Sequence, residues 1–373
     1  MSATANDLDD DALERLEADR RAILAADPAR AAAWLDLASL RVARNRPAEA
    51  EDAARRGLAL DPSAIRGWIA LGAALRAQDR TEEAIAAGRH AATLVPASGD
   101  PHHAIGVSLA RAGRHEEAAQ AYREALARDP GHALAAFNLA LTLLTLGDYA
   151  EGFRRYECRF RSPAPPLPPI SLPEWDGAAL PPGTQLLARA EQGFGDTIQF
   201  LRFAEGAAAR GARVLLLCQP PLRRLAASAP AVAEVLKGGE RIAAGTPTIP
   251  LMSLPRVLGT TLATLPAPPA YLSPLPEARL AWSRRLGARP GLRVGLCWRG
   301  NPASGGPGTR RWTPCARSRS PCSRRWPRCR ASPGRRWPRI PASRSRRLSP
   351  PSTPWRRSAT SRTPRRWSPG SIW

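Results

Sequence analysis

The chain has 373 residues, and its 55 Lys and Arg against 32 Asp and Glu give a formal net charge of +23. That length allows two or three domains, and no run approaches the ~18–20 consecutive apolar residues of a membrane span. The start, Met-Ser-Ala-Thr-Ala-Asn-Asp-Leu-Asp-Asp-Asp, is acidic and predicts no secretory leader.

The charge is unevenly spread. Residues 304–373 hold 19 Arg and no Asp, Glu or Lys, with six of the 11 Trp and 12 of the 39 Pro. Strongly basic composition ordinarily points to nucleic acid; here it belongs to a terminal stretch and implies only non-specific phosphate attraction. Cys158, Cys218 and Cys297 are far apart, and Cys315, Cys322 and Cys329 recur at even steps of seven, which matches no zinc spacing. The expectation is reduced thiols, a cytoplasmic location and no metal site.

In chain order, residues 1–28 form a helical lead-in, with the helix over Asp10–Ala26. A regular period follows, set by the step from Pro28 to Pro62 and repeated at Pro96 and Pro130. The same step links Glu49, Glu83, Glu117 and Glu151, and it links Trp34 with Trp68 and Gly72 with Gly106. Each unit reads as two helices, one on W-x-x-L-[G/A] and one on E-A, closed by a helix-breaking proline. The small residues let the paired helices approach. His102 stands where Trp34 and Trp68 stand, so that with His103 it reads first as an ordinary helix residue, with the inner face as the alternative.

These marks resemble the tetratricopeptide repeat, whose period of about 34 residues they share, with four units over residues 29–163. The resemblance implies a superhelix whose concave face holds a protein or peptide partner.

Residues 164–174 are a proline-rich linker. From 175 to 290 the pattern turns to a parallel α/β arrangement. Strands are expected over Gln185–Ala190, Arg213–Cys218 and Thr248–Met252, with helices over Thr197–Ala209 and Pro221–Ser228. Glu191, Gln192, Gly193, Gly195 and Asp196 form a glycine turn where a strand ends and a helix begins. Open α/β sheets bind ligands at that edge, and helix starts favour anions. The plainer reading of Asp196 is an N-cap for the helix at Thr197. Residues 291–303 begin another unit with the strand Arg293–Trp298.

The motifs W-D-G, A-E-Q-G-F-G-D-T-I-Q-F, P-L-M-S-L-P and R-V-G-L-C-W-R-G-N-P resemble the heptosyltransferase-like glycosyltransferases of two Rossmann domains. That resemblance implies an acceptor-side domain with Asp196 as general base and Glu191, Gln192, Gly193 and Gly195 lining the acceptor loop. It implies a donor-side remnant at Trp298, Gly300 and Asn301, a nucleotide-sugar as substrate with no cofactor, and a glycan or protein as acceptor.

The family's donor loop, D-T-x-x-x-H-x-x-G, has no counterpart, because all five His lie in the repeats. Residues 304–373 read as a disordered, out-of-frame tail. With Arg as CGN and Ser as TCN, dropping two bases from the codons of Ala359–Trp373 plus the stop codon gives a pattern that D-F-A-D-T-A-A-L-V-A-G-L-D-L-V satisfies at every position. The expected fold class is therefore an all-α superhelix, then an incomplete Rossmann-like domain. The expected function is that of a glycosyltransferase lineage inactive in this copy, with a repeat scaffold carrying a vestigial α/β domain as the alternative.

Overall fold

The computed structural model describes residues 10–161, 167–168, 170–191, 193–266 and 270–287. Nine helices come first among them: α1 (Asp10–Ala26), α2 (Ala31–Ala43), α3 (Pro47–Leu60), α4 (Ile65–Ala77), α5 (Thr81–Leu94), α6 (Asp100–Arg111), α7 (His115–Arg128), α8 (Ala133–Leu146) and α9 (Tyr149–Tyr156). From α2 onward they pair as two helices per repeat period, with α1 as the lead-in.

Glycine and alanine at the crossings make the pairing possible. A Cβ at Gly106 would lie 2.5 Å from the Tyr122 ring, and one at Gly88 would lie 2.6 Å from Ile105. Gly72 backs onto the Ala84 carbonyl, 3.2 Å from where its Cβ would stand. Ala38, Ala53, Ala54, Ala74, Ala91 and Ala125 are fully buried, as close helix packing requires.

Charge holds the units in register. Arg46 and Arg80 stand one repeat period apart, and each forks onto the glutamate three positions on while reaching back to one of the preceding unit. Arg46 meets Glu49 and Glu17, the latter at 2.8 Å. Arg80 meets Glu83 and Glu51, both at 2.7 Å. Glu17 also takes Arg44 at 2.5 Å and is 1% exposed. Burial raises its pKa, but hydrogen bonds from Arg44 and Arg21 with the charges of Arg46 and Arg21 outweigh this and hold it at about 2. Because Glu17 and Glu51 are in phase, α1 stands in the role of a second helix.

After the repeats, Glu157–Arg161 makes a 3-10 turn. The α/β part follows: β1 (Thr184–Arg189), α10 (Phe194–Phe200), α11 (Ala204–Ala208), β2 (Ala212–Leu217), α12 (Arg223–Ala226), β3 (Val232–Leu236), β4 (Thr248–Pro250), α13 (Leu254–Val257) and α14 (Pro276–Leu286). The sheet is wholly parallel in the order β3-β2-β1-β4, so the chain reverses direction across the sheet between β1 and β4. Side chains alternate between its faces. Leu186, Ala188, Val214 and Leu216 enter the main core, and Leu187, Leu215 and Leu236 a smaller cluster behind.

That main core also contains Ala140, Phe153 and Tyr156 of the last helix pair. Phe153 meets the rings of Phe200 and Phe203 at 6.1 and 6.4 Å. The end of the linker joins the sheet edge, where Thr248 N–H donates to the Pro173 carbonyl at 2.8 Å and the N–H of Trp175, just past the linker, donates to the Thr248 carbonyl at 2.9 Å.

Three expectations are corrected. The helix after the glycine turn begins at Phe194 rather than Thr197 and passes through a 3-10 turn at Leu201–Phe203 before α11. The strand expected over Thr248–Met252 stops at Pro250, where Leu251–Ser253 turns into a 3-10 helix. Strand β3 and helix α14 are additional elements. The donor-side start at 291–303, with Arg293–Trp298, and the segment 304–373 lie outside the described residues.

Candidate functional site

The first helices of successive units touch one another, α2 with α4, α4 with α6 and α6 with α8, more closely than the second helices do. The first helices therefore lie on the inner side of the array's curve. Ala32, Arg66, Asp100 and Leu134 occupy the same position of successive units, and all four are exposed, Leu134 at 62%. The core positions of each unit repeat, whereas this row changes from small to basic, acidic and apolar.

His102 and His103 point different ways. The His102 Nδ1 lies 3.0 Å from Glu124 of α7, on the side where Arg56 caps Trp34 and His90 packs on Trp68. His102 therefore does not line the inner face. His103 lies on the seam with the next unit, its Nε2 3.0 Å from the Asn138 amide and its ring 4.8 Å from that of His132. Burial, followed by the His132 charge, pushes its pKa down to about 4, so the ring is neutral near pH 7.

The second candidate is the carboxyl edge of the sheet. Where strand order reverses, the crevice outside the strand ends is the usual ligand position; here it lies between β1 and β4. Arg159, from the 3-10 turn after α9, is seated there. Its Nε and Nη2 donate to both oxygens of Glu191 at 2.8 and 3.0 Å, a bidentate fork. The same Nη2 donates to Ser253 Oγ at 2.8 Å, and Nη1 donates to Glu157 at 2.7 Å. Met252 N–H donates to Glu191 at 3.0 Å. The Glu191 side chain is 0% and the Arg159 side chain 3% exposed. Burial works against the Arg159 charge, but Glu191 and Glu157 more than offset it and raise its pKa.

Glu191 is thus committed to a cation supplied by the repeat array. Asp196 stands elsewhere in the turn. Its Oδ2 accepts from Gly193 N–H at 3.1 Å, from the third position of α10. This is the carboxylate half of a capping box, and it replaces the expected N-cap role at Thr197. Gly193 has φ −67° and ψ 173°, an ordinary extended backbone, and Gly195 has open space where a Cβ would be. Thr197 Oγ1 donates to Gln219 at 3.0 Å and ties the turn to the end of β2. Gln192, Trp298, Gly300 and Asn301 lie outside the described residues.

Sequence reasoning singled out Glu191 and missed Arg159, which lies well before it in the chain, on the far side of the linker. Among the described residues, no group of three or more His, Cys, Asp or Glu could hold a metal ion, and no helix is long and apolar enough to cross a membrane.

Two family models described as tetratricopeptide repeat match the chain, over residues 31–73 and 103–162. No curated protein matches it significantly. Among solved structures, it is similar to MamA at 23% identity, covering 37% of this chain and 81% of that one with a TM-score of 0.33. It is similar to pilF of Pseudomonas aeruginosa at 24% identity, covering 39% and 67% with a TM-score of 0.35. It is also similar to a thermophilic TPR protein of Thermus thermophilus at 20% identity, covering 41% and 85% with a TM-score of 0.38. The chain carries tetratricopeptide repeats.

Proposed function

We propose that this chain is a tetratricopeptide-repeat scaffold that holds a protein partner along the inner face of its first helices, with the α/β part packed against its last repeat. The observation that carries the reading is the exposed row Ala32, Arg66, Asp100 and Leu134. Buried positions repeat because packing between neighbours demands it. A row that is accessible in every unit and different in each is suited to reading a partner's sequence. The filled switch-point crevice supports the same reading, since Arg159 and Glu191 serve there to join sheet and array.

The test is photo-crosslinking of the full chain in its native extract. A photoreactive residue at Ser39 on the inner face is expected to give a discrete protein adduct, lost when Arg66→Glu is combined with it. The same group at Asp52, exposed on α3, is expected to give none. Equal labelling from both faces would refute the proposal.

The second reading is descent from a glycosyltransferase that moves a sugar from a nucleotide-sugar to an acceptor hydroxyl, with Asp196 as base. The parallel order β3-β2-β1-β4 and the carboxylate in the first turn of α10 support it. On this reading the present copy is inactive, and full-length protein incubated with nucleotide-sugars releases no nucleotide diphosphate. Turnover would make it an active transferase.

A further inference from the structure

The third repeat differs from the first two at two of the recurring positions, and both differences face one groove. In the first two units the first-helix position is Trp34 and Trp68. Each indole Nε1 donates to a proline carbonyl at 2.9 Å, Pro28 for one and Pro62 for the other. The third unit has His102 there and the fourth Ala136. The second position, on the preceding second helix, is leucine at Leu58 and Leu126, but Ala92 before the third unit. Leu58 and Trp68 lie in the same apolar cluster. Where their counterparts are Ala92 and His102, an open cavity of about 330 Å³ lies between α5 and α7, floored by Ile105 and Leu109 of α6.

The cavity opens between second helices, away from the inner face, and lies within the size range of small-molecule sites. Two side chains that fill this place elsewhere in the array are both replaced by smaller ones, so its lining atoms lack the dispersion contacts their counterparts have. The carbonyl an indole would use here is that of Pro96, which already accepts from Arg128 Nε at 3.1 Å. The acceptor at the rim is then the Glu124 carboxylate, which lies 3.0 Å from His102, accepts from Gln120 Nε2 at 3.3 Å and has lone pairs for a further donor.

We infer that this groove is a binding site for a tryptophan side chain presented by a protein partner, which supplies from outside the ring that the first two repeats supply themselves. The place is the one the first two units fill with an indole. The floor is apolar, for the ring face, and the walls carry Arg89, Glu117, Gln120 and Glu124, of which the Glu124 carboxylate is placed for the ring N–H.

The test is an NMR titration of the full chain with N-acetyl-L-tryptophanamide, following the His102 ring signals, with N-acetyl-L-leucinamide as control. Saturable shifts in the millimolar range are expected with the indole, at least tenfold weaker with leucinamide. His102→Trp fills the groove as in the earlier repeats, and Ala92→Leu restores the residue found at its counterparts Leu24, Leu58 and Leu126. Both are expected to abolish the shifts with the thermal transition kept or raised. Glu124→Ala, on the surface, leaves packing intact and is expected to weaken binding severalfold. No saturable shift in the parent chain, equal response to leucinamide, or full binding in a folded filled variant would each overturn the inference.

Discussion

Arg159 shows how much one side chain can decide. Its guanidinium lies against the Tyr156 and Phe160 rings at 4.8 and 4.1 Å and meets two carboxylates and a hydroxyl. Removing it leaves the buried Glu191 carboxylate with the Met252 N–H and without the guanidinium fork that neutralises it. Breaking a buried pair from one side costs about 3–5 kcal/mol. Arg159→Ala is therefore expected to lose about that much in urea unfolding. Arg159→Lys should recover little, because an ammonium cannot reproduce the fork. A loss below about 1 kcal/mol, the level of an exposed pair, would show that water, rather than Arg159, satisfies Glu191. The sequence displayed Glu191 as a carboxylate at a strand end, and that placement is correct. Its partner was not legible, because one arginine among many carries no mark of burial and the contact closes across the linker. Asp196 was legible as a cap, three positions away from the one expected.

At the scale of elements, spacing was the most readable property. The helix over Asp10–Ala26 and the helix pairs follow from the repeat phase, because Pro28, Pro62, Pro96 and Pro130 punctuate the second helices. Gly106 was legible in the same way, and its reason is steric. A methyl there would meet the Tyr122 ring at 2.5 Å, and Tyr122 is 2% exposed. Overpacking of a closed core costs about 1–3 kcal/mol. Gly106→Ala is expected to fall in that range by thermal unfolding, and pairing it with Tyr122→Leu should recover part of the loss. Gly195→Ala has open space and serves as the neutral comparison. Equal stability of Gly106→Ala and the parent would show that α6 and α7 slide apart freely. Strand β3 was harder to see: Val232-Ala-Glu-Val-Leu236 has apolar residues at both ends without strict alternation, and it borders a register shift against β2. Helix α14 buries no residue, so no apolar stripe announced it.

At the largest scale, the described residues form an array whose last unit is completed by a sheet. In a repeat array each unit contacts only its neighbours, and a terminal unit leaves one apolar face without a partner. Here Phe153 of α9 turns that face toward Phe200 and Phe203, within a core shared by α8, α9, β1 and β2. Damage at this joint should spread to both sides of it while stopping short of the distant repeats. Phe153, 7% exposed, is the side chain to truncate, and Phe→Ala in a core costs about 3–5 kcal/mol. In native-state hydrogen exchange of the full chain, Phe153→Ala is expected to lower protection of α8, β1 and β2 together. The helices α2, α3 and α4 should keep the protection of the parent, because their cluster of Leu35, Leu37, Leu58 and Leu71 contains no residue of the joint. Loss confined to β1 and β2 would mean that the sheet is a separate folding unit resting on the array. Loss extending to α2 would mean that the array melts as one body. The expected pattern lies between these, with cooperativity ending where shared burial ends.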